Sequence, residues 1–346
     1  MSRKLLSYTA LGLILGNAAI ADVPKVAVDI APVHSLVSRV MEGVGSPKLI
    51  IPAGASPHEY SLRPSEAKSL QDADMVIWMG EDLAPWMENS IEKLAKNAEV
   101  ITLLEASETK LLDFREGALF EEHDHGDHDD HDDHDDHDDH DHDKDHDDHD
   151  DHDDHDKDHD DHDDHDDHDD HAGHDHGEHD PHAWLSIENA QTWLNLVAGK
   201  LSAADPENAG VYFGNAAAAR SEIEELSKEV NSILDPVRGR SFVVFHDAYQ
   251  YFETSFDFPA SGAISLGDAT DPSASRIAEI QGRVREEGIN CVLSEPQYNP
   301  NLVETVLEGT DAKTGVIDPL GVNLEPGSKL YGDLIRNMAK SLAGCL

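Results

Sequence analysis

From Glu121 to Asp180 the chain is almost nothing but Asp and His, and a His-Asp-Asp triplet recurs through most of it, as in His128-Asp129-Asp130-His131. A period of three matches neither the 3.6 of a helix nor the 2.0 of a strand. Neighbouring Asp side chains repel one another, and the stretch has no large apolar side chain to bury. It is therefore expected to be a disordered loop when metal-free. Any core must be assembled from the chain on either side.

Imidazole and carboxylate are both metal-ligand groups, and clustered His is a compositional sign of metal binding. Of the 24 His in the chain, all but His34, His58, His182 and His246 lie in this tract. The tract His are expected to form secondary, weaker metal sites: His123, His125, His128, His131, His134, His137, His140, His142, His146, His149, His152, His155, His159, His162, His165, His168, His171, His174, His176 and His179. Flexible ligands lose conformational entropy at each binding event. Dense carboxylates also raise the His pKa values, so protons compete with metal.

The tract accounts for most of the net charge of −48: its 34 acidic residues and two Lys contribute −32. Such a surface repels phosphate backbones and attracts cations, which argues against nucleic acid as a partner.

Arg3 and Lys4 precede an apolar run through Leu11-Gly12-Leu13-Ile14-Leu15, which ends in Ala19-Ile20-Ala21. That is the layout of a secretory signal peptide over residues 1–21. No later run approaches the ~20 apolar residues of a membrane span. The mature chain is expected to be soluble and exported. Without the tract it keeps 265 residues, enough for two ordinary domains. The only Cys are Cys291 and Cys345. Export allows a disulfide between them, worth about 4 kcal/mol for a loop of this length. A pair of thiolate metal ligands is the alternative, although no CxxC or Cys/His spacing supports it.

Two blocks alternate short apolar strands with amphipathic helices. In the first, strands are predicted at 25–30, 49–51, 75–79 and 100–103, with helices at 32–41, 63–71 and 83–95. After the tract, Ser186 is a predicted N-cap of a helix reaching about Ala203, and a long helical pattern runs from Pro206 to Leu234. The second block predicts strands at 241–246, 260–265, 290–295 and 315–318, with helices at 249–255, 272–287, 299–308 and 328–342. Such alternation implies parallel strands with helical crossovers. The fold class is α/β: two lobes, each a parallel-type sheet flanked by helices, joined by one long helix. The expected division is an N-terminal lobe over 22–120 and 181–205, the loop 121–180, a linking helix 206–236 and a C-terminal lobe 237–346.

Four residues outside the tract carry the chemistry. His58 lies in the loop after the second strand, and His182 directly follows the tract. His246 ends the first strand of the second block, and Asp318 ends a later one. In open parallel sheets ligands sit beyond the carboxyl ends of the strands, so a cleft between the lobes can gather these groups. Neutral imidazoles plus a carboxylate or water suit tetrahedral Zn²⁺; Mn²⁺ and Mg²⁺ prefer more oxygen. Each residue also has a bland reading: a core His at 246, an exposed loop His at 58, an extension of the tract at 182, a turn residue at 318. His34 lacks support as a ligand.

The segments Gly54-Ala55-Ser56-Pro57-His58-Glu59-Tyr60-Ser61-Leu62-Arg63-Pro64-Ser65 and Ala73-Asp74-Met75-Val76-Ile77-Trp78-Met79-Gly80 resemble the first lobe of cluster A-I substrate-binding proteins of metal ABC importers. Asp180-Pro181-His182-Ala183-Trp184-Leu185-Ser186, Phe245-His246-Asp247-Ala248-Tyr249 and Asp318-Pro319-Leu320-Gly321 complete the pattern. With the acidic His-rich loop and two Cys, the chain is most similar to the zinc-binding branch, over essentially the whole mature length.

The resemblance implies a rigid bilobed fold with the metal site between the lobes, and it makes His58, His182 and His246 the three His ligands. Manganese and iron relatives carry a carboxylate where His246 stands, so His there supports zinc. Some zinc members place a carboxylate just before the first His; here that position is Pro57, which cannot coordinate. Water or Asp318 then completes the shell, with Glu59 the weaker candidate. The implied role is non-catalytic: a periplasmic monomer that captures Zn²⁺ and delivers it to a membrane permease, with the His-rich loop gathering or sensing zinc. The competing readings are a secreted zinc hydrolase, for which no HExxH-type motif is present, and a periplasmic zinc buffer.

Overall fold

The computed structural model describes residues 23–115, 120, 179–265, 272–298 and 300–346. The expected signal peptide and the Asp/His tract up to Glu178 lie outside the described residues. Two four-stranded sheets, all parallel, share one strand order. The first contains β1 (Val26–Val28), β2 (Lys48–Leu49), β3 (Met75–Trp78) and β4 (Glu99–Thr102), ordered β2-β1-β3-β4. The second contains β5 (Phe242–His246), β6 (Ala263–Ser265), β7 (Cys291–Ser294) and β8 (Lys313–Val316), ordered β6-β5-β7-β8. In each sheet the chain reverses its direction of travel between the first and third strands. That switch point is where open α/β sheets bind ligands.

Helices α1 (Ala31–Val40), α2 (Pro64–Gln71) and α3 (Pro85–Leu94) belong to the first lobe. Helix α4 (Ile187–Ala204) starts as its sequence predicts, with the Ser186 hydroxyl accepting the amide of Asn189. Helix α5 (Ala209–Leu234) is the long joining helix, 26 residues or roughly 39 Å at 1.5 Å per residue. Its pattern does begin at Pro206, but residues 206–208 form a 3-10 turn before the helix proper. The second lobe carries α6 (Gln250–Phe256), α7 (Ala274–Glu286), α8 (Pro300–Leu307) and α9 (Leu330–Cys345). Among the described residues no helix is long and apolar enough to cross a membrane.

Helix α5 buries Tyr212, Ala216, Ala219, Ile223, Leu226, Val230 and Leu234, a stripe at spacings of three and four. Two forked ion pairs fasten it on its polar side. Arg39 of α1 grips Glu222, and Arg336 of α9 grips Glu229 one heptad later. The helix is thus tied once to each lobe.

Strand alternation decides which side chains reach the interior shared by the lobes. Phe242 and Val244 join the large core that runs through both lobes and α5. Val243 and Phe245 face a separate apolar layer under α7 and α8. On β7, Cys291 and Leu293 face the large core and Val292 the outer layer. By the same period of two, His246 and Glu295 belong to the inner side.

The expected last strand, 315–318, lies two residues earlier. Its pairing with β7, from Cys291↔Lys313 to Ser294↔Val316, ends it at Val316. Asp318 then turns the chain by accepting the amides of Leu320, Gly321 and Val322. Gly321 sits at φ +76, where a side chain is strained, and a Cβ there would also press on Leu324 and Leu330 at 3.3 Å. The second predicted strand is likewise shorter and earlier, at Lys48–Leu49.

The disulfide joins Cys291 at the start of β7 to Cys345 at the end of α9, with Cα atoms 5.7 Å apart. It replaces the alternative of two thiolate ligands.

Candidate metal centre

Three imidazoles from three separate segments meet between the lobes. The His182 ring centre lies 5.5 Å from that of His58 and 5.3 Å from that of His246. Nitrogens held ~2.0–2.1 Å from a tetrahedral ion put ring centres about 5 Å apart, so the spacing suits a shared ion. Among the described residues, however, no group of three or more His, Cys, Asp or Glu is placed so that it could hold a metal ion as it stands. The rings border a cavity of about 10 Å³, the scale of one water or one ion.

Each His is placed by local chemistry. His58 rides on the loop after β2. That loop is pinned where the Trp86 indole donates to the Pro57 carbonyl at 2.8 Å, and where the Tyr60 hydroxyl donates to Glu66 at 3.0 Å. Glu66 in turn accepts the amide of Arg63 to cap α2.

His182 is buried. Its Nδ1 meets Asp180 Oδ1 at 2.7 Å, and the same oxygen accepts the His182 amide at 2.9 Å. With Nδ1–H donating to a carboxylate, the proton is fixed there and Nε2 keeps its lone pair. His182 Nε2 is buried with no hydrogen-bond partner among the described residues.

His246 follows the same rule in the other lobe. Its Nδ1 lies 2.6 Å from Glu295 Oε1, and both side chains are buried. The topology explains the pair. β5 and β7 are neighbours in register Phe242↔Cys291 and Val243↔Val292, and counting on brings His246 level with Glu295 at the switch point. Burial, with the nearby Glu295 carboxylate adding to it, pushes the adjacent Tyr249 phenol well above its ordinary pKa, so the phenol keeps its proton.

The equivalent switch point in the first lobe is used for architecture. Asp29, after β1, accepts the amides of Ile30 at 2.7 Å and Met79 at 2.6 Å, stitching the ends of β1 and β3. Burial pushes its carboxyl up to about 7.

The chain matches the family model ZnuA, zinc-uptake complex component A periplasmic, over residues 26–345. It belongs to that family. It is 46% identical to the high-affinity zinc uptake system protein ZnuA of Paracoccus denitrificans, over 98% of each chain. It is 37% identical to the protein of that name from Haemophilus influenzae, over 99% of each. Among solved structures, a crystal structure of ZnuA superposes with TM-score 0.67 at 18% identity, covering 94% of this chain and 99% of that one. The substrate-binding protein FpvC of Pseudomonas aeruginosa, in complex with Mn²⁺, does so at 0.67 and 18%, covering 93% and 97%. At such identities the likeness speaks for the fold alone.

Against this ZnuA-family frame, Asp318 stands apart from the three His. Its oxygens take three backbone amides, and it does not line the cavity. The turn it shapes brings Pro319 to the cavity wall, where the Pro319 carbonyl accepts the Trp184 indole at 2.9 Å across the lobes. Glu59 is exposed. His34 is a core histidine: it is buried, Nε2 lies 3.3 Å from the Pro47 carbonyl, and burial lowers its pKa.

Two residues counted with the tract lie among the described residues. His179 forms a β-bridge and a 2.8 Å side-chain contact with Asp113, and Asp180 is buried beneath His182. Sequence reading alone did not assign Asp180 and Glu295 their orienting roles. A signal was there for Glu295, a charged residue closing an apolar strand. For Asp180, the abundance of Asp around it hid the one that is buried.

Proposed function

We propose that this chain is the exported zinc-capturing component of an ABC-type uptake system, binding Zn²⁺ through His58, His182 and His246 and delivering it to a membrane permease. The observation that carries the reading is the convergence of the three rings, two of them held at Nδ1 by buried carboxylates. This arrangement presents neutral nitrogens to the ion while keeping negative charge one step behind it, a pattern that orients zinc ligands and raises their basicity. The relatives' names, high-affinity zinc uptake system proteins, support the same cargo. The role is transport rather than catalysis.

Residues 1–21 direct the chain to the periplasm, where it works as a monomer. The Asp/His tract gathers zinc near the cleft or senses its supply. Asp318 acts through the turn that frames the site, and a small exogenous ligand takes the fourth coordination position. Isothermal titration tests the assignment. A chain lacking 121–178 keeps one tight zinc site, whereas His58→Ala and His246→Ala in the full chain keep only the weak sites of the tract. Loss of the tight site on tract deletion alone refutes it.

A further inference from the structure

Gln297 stands two residues beyond Glu295, in the turn that leaves β7, and lines the same cavity as His58, His182 and His246. Both polar atoms of its amide, Oε1 and Nε2, are buried and have no hydrogen-bond partner among the described residues. It is the one described side chain in which two polar atoms share that condition. A buried, unsatisfied amide costs stability, and an apolar side chain of the same size would avoid the cost. Such a group in a native site calls for an explanation outside the fold itself.

Ser56 and Glu295, on the same wall, have partners within the protein. The Ser56 hydroxyl accepts the His58 amide, and Glu295 backs His246. Gln297 therefore offers an amide on this wall to whatever completes the ion's shell.

We propose that Gln297 is a positioning residue for the fourth zinc ligand: its amide hydrogen-bonds the water bound to the ion opposite the three imidazoles. This deepens the zinc reading above and rests on it. A metal-bound water turns its lone pair to the ion and its hydrogens outward, where Oε1 accepts. The choice of an amide also bears on selectivity. A carboxylate at this position would add the charged oxygen that Mn²⁺ favours, whereas an amide leaves the shell neutral and nitrogen-rich, which favours Zn²⁺.

The test compares the full chain with Gln297→Leu and Gln297→Glu, and with His246→Ala as control. Metal affinity is measured by competition with a chelating dye, the shell by the visible spectrum of the Co²⁺ form, and the fold by urea melts without metal. Gln297→Leu is expected to melt at the same or higher urea, to bind zinc about 10- to 100-fold more weakly, and to shift the Co²⁺ band. Gln297→Glu is expected to raise the affinity for Mn²⁺ relative to Zn²⁺. Parent-like zinc affinity and Co²⁺ spectrum in Gln297→Leu overturn the proposal. So does a joint loss of zinc affinity and metal-free stability, which makes Gln297 a fold residue. If His246→Ala keeps the tight site, the ligand assignment itself fails. If His246→Ala loses it and Gln297→Leu does not, only the role of Gln297 falls.

Discussion

Replacing Arg115 by Met should expose how strongly a buried ion network beside His246 holds the fold. Arg115 is largely buried, and its guanidinium lies between two buried carboxylates. Nε donates to Asp247 at 3.0–3.1 Å, NH1 donates to Glu253 at 2.7 Å, and NH2 reaches both acids. Asp247 adjoins His246, and Glu253 lies on α6. Burial raises the pKa of each acid, and Arg115 opposes that rise; Asp180 adds to the rise at Asp247, and Asp247 to that at Glu253. For Arg115, burial alone would lower the pKa, but the two acids outweigh it and hold the charge firmly.

Removing one partner of a buried ion network costs about 3–5 kcal/mol, because the remaining charge is stranded. Here two like charges are stranded together. The variant is expected to lose that much stability near pH 8 and to recover part of it as the pH falls and the carboxyls take up protons. The sign follows from linkage. Acids whose folded pKa is raised above the unfolded value bind more protons when folded, so their contribution is present at low pH and is lost as pH rises through the folded pKa. Urea midpoints at several pH values read this directly. Adding Glu253→Gln should restore part of the loss at pH 8. A variant within about 1 kcal/mol of the parent at pH 8, with a flat pH profile, would show that the triad is screened by solvent and would refute the reasoning.

The carboxylates behind the ligands should matter for the cargo. Asp180→Asn and Glu295→Gln each lower zinc affinity by roughly 10- to 100-fold, measured by chelator competition; unchanged affinity in both would remove the case for orientation through Nδ1. The double variant Cys291→Ser, Cys345→Ser should unfold about 4 kcal/mol more easily than the parent, read from urea melts under non-reducing conditions. Equal urea midpoints for parent and variant under those conditions would contradict that.

The chain's order of elements already determined much of this protein. Alternating apolar strands and amphipathic helices, on both sides of a segment with no large apolar residue to bury, leave few folds other than two parallel-sheet lobes. The strand Phe242–His246 also states which way its last residue faces, since period two couples His246 to Phe242 and Val244. Helix α5 was legible in the helical spacing of its apolar residues, such as Leu226 and Val230. Sequence could not decide which of many carboxylates would serve the imidazoles. Asp180 resembles every other Asp in its tract until the backbone of Leu112 and the hydroxyl of Tyr251 fix it under His182. Glu295 gained its partner only when β7 lay beside β5. Asp318 is expected from sequence to end a strand, but β8 stops at Val316 and Asp318 holds the following turn through three backbone amides. The physical reason is the same in each case. Local pattern sets which face a side chain occupies, whereas the partner of a buried charge is whatever the distant chain brings within 3 Å.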